Sequence, residues 1–193
     1  AREIIDEAGK STRFMTPPTR GFQLLRDAVL SLSLQHDFVR PLYHWRTSRP
    51  HEYTHSMLNA TGDDDGLFTA GPARGAPPRN VRLGADDFLL DHLGGGFELL
   101  LFNPAGAVPA PLLAEVDAVR ARGVAVRITA IGTAAVQGAD QCFADADGHV
   151  RARYGVPGSG GAYLLRPDQH VCARWLTLDA TRLRAAFAQA LPQ

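Results

Sequence analysis

FELLLFNPAGAVPAPLLAEVDAVRARGVAVRITAIG, residues 97–132, holds two apolar runs separated by an amphipathic stretch. FELLLF (97–102) and VAVRITAIG (124–132) lack the alternation of a half-exposed strand, which predicts strands buried on both faces. Between them, PAPLLAEVDAVRARG (109–123) sets Leu112, Leu113, Val116 and Val119 on one helical face and stops at Gly123. Strand, helix and strand in this order force a parallel pair, because the crossover carries the chain back to the end at which it started.

Upstream, NVRL (80–83) can begin a strand and DDFLLDHLG (86–94) reads as a short helix with an Asp cap and a Gly stop. Downstream, GAYLLRP and HVCARW form a hairpin through Pro167, Asp168 and Gln169. Asp179 then caps a last helix with Leu183, Ala186, Phe187 and Ala190 on its inner stripe. The predicted string is β-α-β-α-β, a variable region, then β-β-α. A βαβ half followed by a hairpin and a closing helix is the thioredoxin-like arrangement, an α/β domain with a central mixed sheet flanked by helices.

The first 46 residues read as a preceding helical segment: AREIIDEAGKSTRFM, a break at Pro17 and Pro18, GFQLLRDAVLSLSLQ, then DFVRPLYHWR. Phe22, Leu25, Val29 and Leu32 recur at three- and four-residue steps and give an apolar stripe that needs something to lie against. From about 48 to 84 the chain turns to Pro, Gly, Asp and Asn, the expected boundary between two units. The expected division is a helical part over 1–60, a linker over 61–80 and the thioredoxin-like domain over 81–193.

Composition narrows the partners. Of 193 residues 45% are hydrophobic, and 20 acidic side chains balance 20 basic ones that are scattered along the chain. No one-signed field exists to draw nucleic acid or an anionic membrane surface. Apolar runs fall far short of the roughly 20 residues that span a bilayer, and the charged first residues are no signal-peptide core, so a cytoplasmic location is expected. Cys142 and Cys172 are the only cysteines and have no C-x-x-C spacing, which predicts two reduced thiols.

Several stretches invite chemistry. His51, Glu52 and His55 spell HExxH, but that zinc signature works only on a helix, where positions i and i+4 aim at one ion. Pro50 precedes it, SMLNATGDDDG follows, and Leu58 and Thr61 stand where a longer zinc signature has Gly and His; an extended segment is expected. His36 and His44 read as surface or packing residues. Thiol redox chemistry would place a cysteine after the central strand, where this chain has Asn103-Pro-Ala-Gly106. The position of the fold's cis-proline falls on Gly160 or Gly161, with Pro157 too early, and Cys172 reads as a buried, inert thiol. Gly94–Gly96 and GVPGSGG (155–161) lack the spacing of a dinucleotide fingerprint or a phosphate loop. Ser31, Ser33 and Ser159 sit in no nucleophile elbow, and Asp63, Asp64 and Asp65 read as a solvated acidic loop.

FMTPPTRGFQLLRDAVLSLSLQHDFVRPLYHWRTSRPHEYTHSMLN (14–59) resembles the segment that closes the flavin domain of FAD-dependent aromatic hydroxylases, the phenol, hydroxyphenylpropionate and polyketide hydroxylases. DADGHVRARYGVPGSGGAYLLRPDQHVCARW (145–175) is similar to the end of their C-terminal domain, with GAYLLRPD its most specific part. The resemblance runs from about Phe14 to Leu191. It implies a thioredoxin-like domain without redox cysteines, preceded by the tail of a flavin domain. The family's amino-terminal G-x-G-x-x-G and its later Gly-Asp-Ala motif are both missing, so the chain looks like the last third of such an enzyme. No catalytic, cofactor-binding or metal residue is carried over, and the chain alone is expected to be inactive. FAD and NAD(P)H are implied for the parent only. The expected partners are the parent's flavin domain and a possible second copy. The alternative is an independent cysteine-free thioredoxin-like module that binds a protein or peptide.

Overall fold

Pro17 and Pro18 divide two helices, α1 (Arg2–Met15) and α2 (Arg20–Ser33). Proline lacks the N–H that a helix interior needs, and Thr19 restarts the helix by accepting the Phe22 N–H at its hydroxyl. A 3-10 turn over Asp37–Leu42 follows. This computed structural model describes residues 2–43, 50–132 and 135–191, so His44 and the end of DFVRPLYHWR lie outside the described residues. No helix among the described residues is long and apolar enough to cross a membrane.

The chain divides between His51 and Glu52 into two units. In the first, Val29 and Val39 are buried, whereas Phe22, Leu25 and Leu32 of the stripe are 48%, 57% and 46% exposed. Phe14, Phe22, Leu25, Val29 and Leu42 line an apolar groove of about 230 Å³ with Lys10, Arg13 and Arg26 at its rim.

The second unit is built on β1 (Phe97–Phe102) and β2 (Val126–Gly132), paired in parallel with Leu99 opposite Ile128 and joined by α3 (Ala110–Arg120). β4 (Gly161–Leu165) runs antiparallel to β1, and β5 (Val171–Trp175) antiparallel to β4. β3 (Gln141–Ala144) joins β2 in parallel, giving the order β3-β2-β1-β4-β5. α4 (His149–Arg153) and α5 (Ala180–Ala190) complete the unit. The mixed sheet flanked by helices is the thioredoxin-like arrangement read from residues 97–132.

Alternation along β1 divides the core. Phe97, Leu99 and Leu101 pack with Leu112, Val116 and Val119 of α3 and with Leu183, Ala186 and Phe187 of α5. Leu100 and Phe102 face the other way, against Val81, Leu89, Val150 and Tyr154. On that same face Glu98 is buried in the central strand. Its carboxylate accepts from Arg127 Nε at 2.8 Å and from the Gly94 N–H at 3.0 Å, so the charge is paired and hydrogen-bonded.

Two predicted elements differ. NVRL makes only a single bridge, Arg82 to Phe88, and DDFLLDHLG contributes a 3-10 turn over Leu89–His92. The crossed connection from β1 to β2 leaves that segment to cover the sheet's face instead of extending it. β3 and α4 arise in the stretch read as variable. β3 has only four residues, none of them fully buried, and it forms because β2 offers it an open edge.

Candidate functional site

The corner at the end of β1 is where a thioredoxin-like fold would place its reactive thiol. Asn103 stands there in the left-handed conformation, φ 50°, its backbone N–H donating to Ile131 O at 2.8 Å. Its side-chain Nδ2 donates to Gly158 O at 3.1 Å, tying β1 to the glycine-rich approach to β4. The corner is tightly closed. A Cβ on Gly132 would lie 2.3 Å from Asn103 Oδ1, and one on Gly160 would lie 2.6 Å from Phe102 O. α3 begins seven positions later at Ala110, so Asn103 does not sit on a helix amino end. Gly161 opens β4 where the fold's cis-proline would precede the strand. The two thiols lie elsewhere: Cys142 is partly buried on β3, and Cys172 is buried on β5, donating to Leu58 O at 3.3 Å. Burial pushes the Cys172 thiol up to about 11, the reverse of what a nucleophile needs.

Residues 51–55 form irregular chain with a turn at Thr54 and His55, so the helix on which HExxH depends is not formed. Ser31 and Ser33 turn their hydroxyls back onto helix carbonyls, to Asp27 O at 2.8 Å and Leu30 O at 2.7 Å. Ser159 lies exposed in the turn before β4 and His36 is exposed beside Phe38. Gly94–Gly96 lead into β1, where a Cβ on Gly96 would meet Ala125 O at 2.7 Å.

Asp145, Asp147 and His149 hold their ligand atoms within 4.8 Å of one another, beside an open cavity of about 560 Å³. Both Asp145 oxygens are engaged, accepting the Val150 and Arg151 N–H groups at 2.9 Å each. Gly148, φ 71°, closes the D-x-x-G turn with its N–H on Asp145 O. The cluster therefore acts as the cap that starts α4.

The acidic loop is the largest departure from the sequence reading. Asp63, Asp64 and Asp65 are built into the structure by three arginines. The Asp63 side chain is only 3% exposed and pairs with Arg74 at 2.8 Å. Asp64 accepts from Arg182 of α5 at 2.5 Å and from the Leu176 N–H at 2.9 Å. Asp65 accepts from Arg174 of β5 at 2.5 Å, and that guanidinium also lies 4.5 Å above the Phe68 ring. Burial raises the Asp63 carboxyl against the opposing pull of Arg74, while hydrogen bonds from Arg182 hold Asp64 below the ordinary carboxylate range. A loop of three consecutive carboxylates is solvated only when no fixed cation meets it. The one local sign of this arrangement was an arginine inside the apolar strand VCARW.

The RPD turn between β4 and β5 works in the same way. Arg166 is buried and grips Asp168 through Nε and Nη2, at 3.1 and 2.9 Å, while Gln169 takes the left-handed conformation at the turn. The GAYLLRPD string thus carries structural fastening: Tyr163 Oη donates to Tyr154 O, and Arg166 fastens the residue 59 region.

No protein-family model matches the chain, and no curated protein matches it. Solved structures do. RebC, a rebeccamycin biosynthetic enzyme with reduced flavin, matches with a TM-score of 0.60 at 21% identity, over 98% of this chain and 34% of RebC. The flavin-dependent monooxygenase PieE, in complex with FAD and substrate, matches at 0.55 and 24% identity, over 90% of this chain and 30% of PieE. Aklavinone-11 hydroxylase, in a ternary complex with FAD and aklavinone, matches at 0.52 and 26% identity, over 86% of this chain and 34% of that one. The chain spans about a third of the length of these proteins and resembles their C-terminal region.

Proposed function

We propose that this chain is the C-terminal part of an FAD-dependent aromatic-ring monooxygenase, with a packing role and no active site of its own. The observation that carries this reading is the extent of the likeness, which takes in the helical unit as well as the sheet unit, at 98% of the chain in one comparison. A free-standing thioredoxin-like module would need only the second unit.

In this reading the helical unit closes the flavin domain, and the exposed stripe of Phe22, Leu25 and Leu32 is buried against it. Large contiguous apolar patches on a soluble protein mark contact surfaces. The parent flavin would carry the oxygen chemistry with FAD and NAD(P)H, in the cytoplasm, and the protein would position it. Subunit contacts of the parent, including a homodimer, belong to the same proposal.

Two measurements test it. The purified chain is expected to lack flavin absorbance after incubation with FAD; stoichiometric bound FAD would overturn the non-catalytic role. On size exclusion, a separately produced flavin-domain fragment is expected to co-elute with the wild-type chain and not with Leu25→Asp. Indifference of the wild-type chain to the fragment would favour the independent binding module.

A further inference from the structure

Three cations and no acid line the apolar groove of the helical unit: Lys10 and Arg13 from α1, and Arg26 from α2. Arg13 is exposed and has no acidic partner among the described residues. Lys10 and Arg26 do have partners, Glu7 at 2.7 Å and Asp27 at 2.8 Å, but each lies on the cation's own helix and outside the groove. Exposed pairs of this kind contribute little and leave the cation able to meet a second carboxylate. The excess extends to the whole unit. Residues 1–51 carry eight basic and five acidic side chains, and residues 52–193 carry twelve basic and fifteen acidic ones. The even balance over the full chain conceals this difference.

We propose that the groove seats a segment of the parent's flavin domain in which an apolar side chain stands between carboxylates. The apolar group enters beside Phe22 and Leu25, and the carboxylates meet Arg13, Lys10 and Arg26. This inference rests on the proposed function and adds the chemistry of the contact. Size selects a side chain as the occupant. A cavity of about 150 Å³ holds benzene and pockets for drug-sized ligands begin at roughly 300 Å³. At about 230 Å³ the groove suits one or two apolar side chains. Charge selects the flanking residues. A protein surface that closes over the exposed Phe22 and Leu25 also takes water from the cations at the rim. Desolvated cations without acceptors oppose binding, so the covering surface must supply acids.

Salt and charge reversal test it. The tagged full chain is co-expressed with the parent's flavin domain, and the captured flavin is read by absorbance. Between about 0.1 M and about 1 M NaCl the screening length falls from roughly 10 Å to 3 Å. Over that range the affinity of the wild-type pair is expected to fall about tenfold, the sum of a few ion pairs. Arg13→Glu is expected to weaken capture about tenfold at the lower salt and to lose most of the salt dependence. Arg20→Glu, a reversal in the same unit outside the groove, is expected to capture as wild type does. Far-UV circular dichroism checks that both variants keep their helices, and Arg13→Gln, with an intermediate loss, supports the assignment if Arg13→Glu unfolds. Capture that ignores salt and tolerates Arg13→Glu and Arg13→Gln overturns the inference and leaves the proposed function standing. Failure of the wild-type chain to capture any flavin domain overturns both. Sedimentation of the chain with phosphatidylserine vesicles, without such capture, would assign the groove to a membrane surface and overturn the proposal as well.

Discussion

Arg166 Nη1 donates to Asn59 Oδ1 at 2.6 Å across 107 residues of chain, and the same Asn59 turns its Nδ2 onto Tyr53 O at 2.7 Å. One amide thus joins the hairpin turn to the segment around Tyr53, with both of its polar atoms satisfied in a buried setting. Asn59→Ala should leave a buried guanidinium N–H without its acceptor, at a cost of about 1–3 kcal/mol. The urea midpoint should fall accordingly with an unchanged slope. Loss of a few tenths or less would mean that water replaces the amide.

Asp64 should contribute to stability in a pH-dependent way. Its carboxyl is held below the ordinary range, first by hydrogen bonds from Arg182. A depressed folded-state pKa gives stability that is fully present above the unfolded value of about 4 and is lost as pH falls through the folded value. Wild type and Asp64→Asn should therefore differ most near neutral pH and converge in strong acid. Asp63, raised chiefly by burial, has the opposite sign: its ionisation opposes folding as pH rises. Urea midpoints from neutral pH downward check both. A gap between wild type and Asp64→Asn that does not change with pH would rule out the ion pair as its cause.

The two thiols should separate chemically. With Cys172 at about 11, its thiolate fraction at pH 8 is on the order of one in a thousand, and the group is buried as well. Iodoacetamide should label the native chain once, at Cys142, and twice after unfolding in urea, as read by intact mass. Fast labelling of Cys172 in the native chain would contradict the buried placement of β5.

Gly71 and Gly62 have nearly the same positive φ, 84° and 82°, in different surroundings. A Cβ on Gly62 meets open space, whereas one on Gly71 would lie 2.1 Å from Tyr154 O and 2.6 Å from Tyr163 Oη. Gly62→Ala should cost only the left-handed penalty of about 1–2 kcal/mol. Gly71→Ala should cost about 3 kcal/mol or more beyond that, because the backbone at residue 71 must move away from Tyr154 and Tyr163. Thermal melts of the two variants side by side isolate the contact, since the backbone strain is common to both.

The apolar runs 97–102 and 124–132, the second of which forms its strand over Val126–Gly132, the helical stripe between them, the hairpin turn at Pro167–Gln169 and the Asp179 cap were all legible in the sequence. In each case the information is local: side-chain periodicity names the buried face, and a cap or turn residue acts on backbone within a few positions. The absence of sulfur from the corner after β1 was equally legible, because it is a statement about one position in a known order of elements.

What the tertiary structure alone decided is where the charges meet. Asp64 and Arg182 are 118 residues apart, and Asp65 and Arg174 are 109 apart. No spacing rule connects such pairs, so the acidic loop read as solvated until the β5 edge was seen to run beside it. β3 depended in the same way on an edge left open by β2, and the 80–94 segment on a sheet face that needed covering. Periodicity along a chain fixes which side of an element is apolar. Which cation meets which carboxylate, and which edge is covered, follow from the packing of elements distant in sequence, where folding brings groups within reach that the linear order keeps apart.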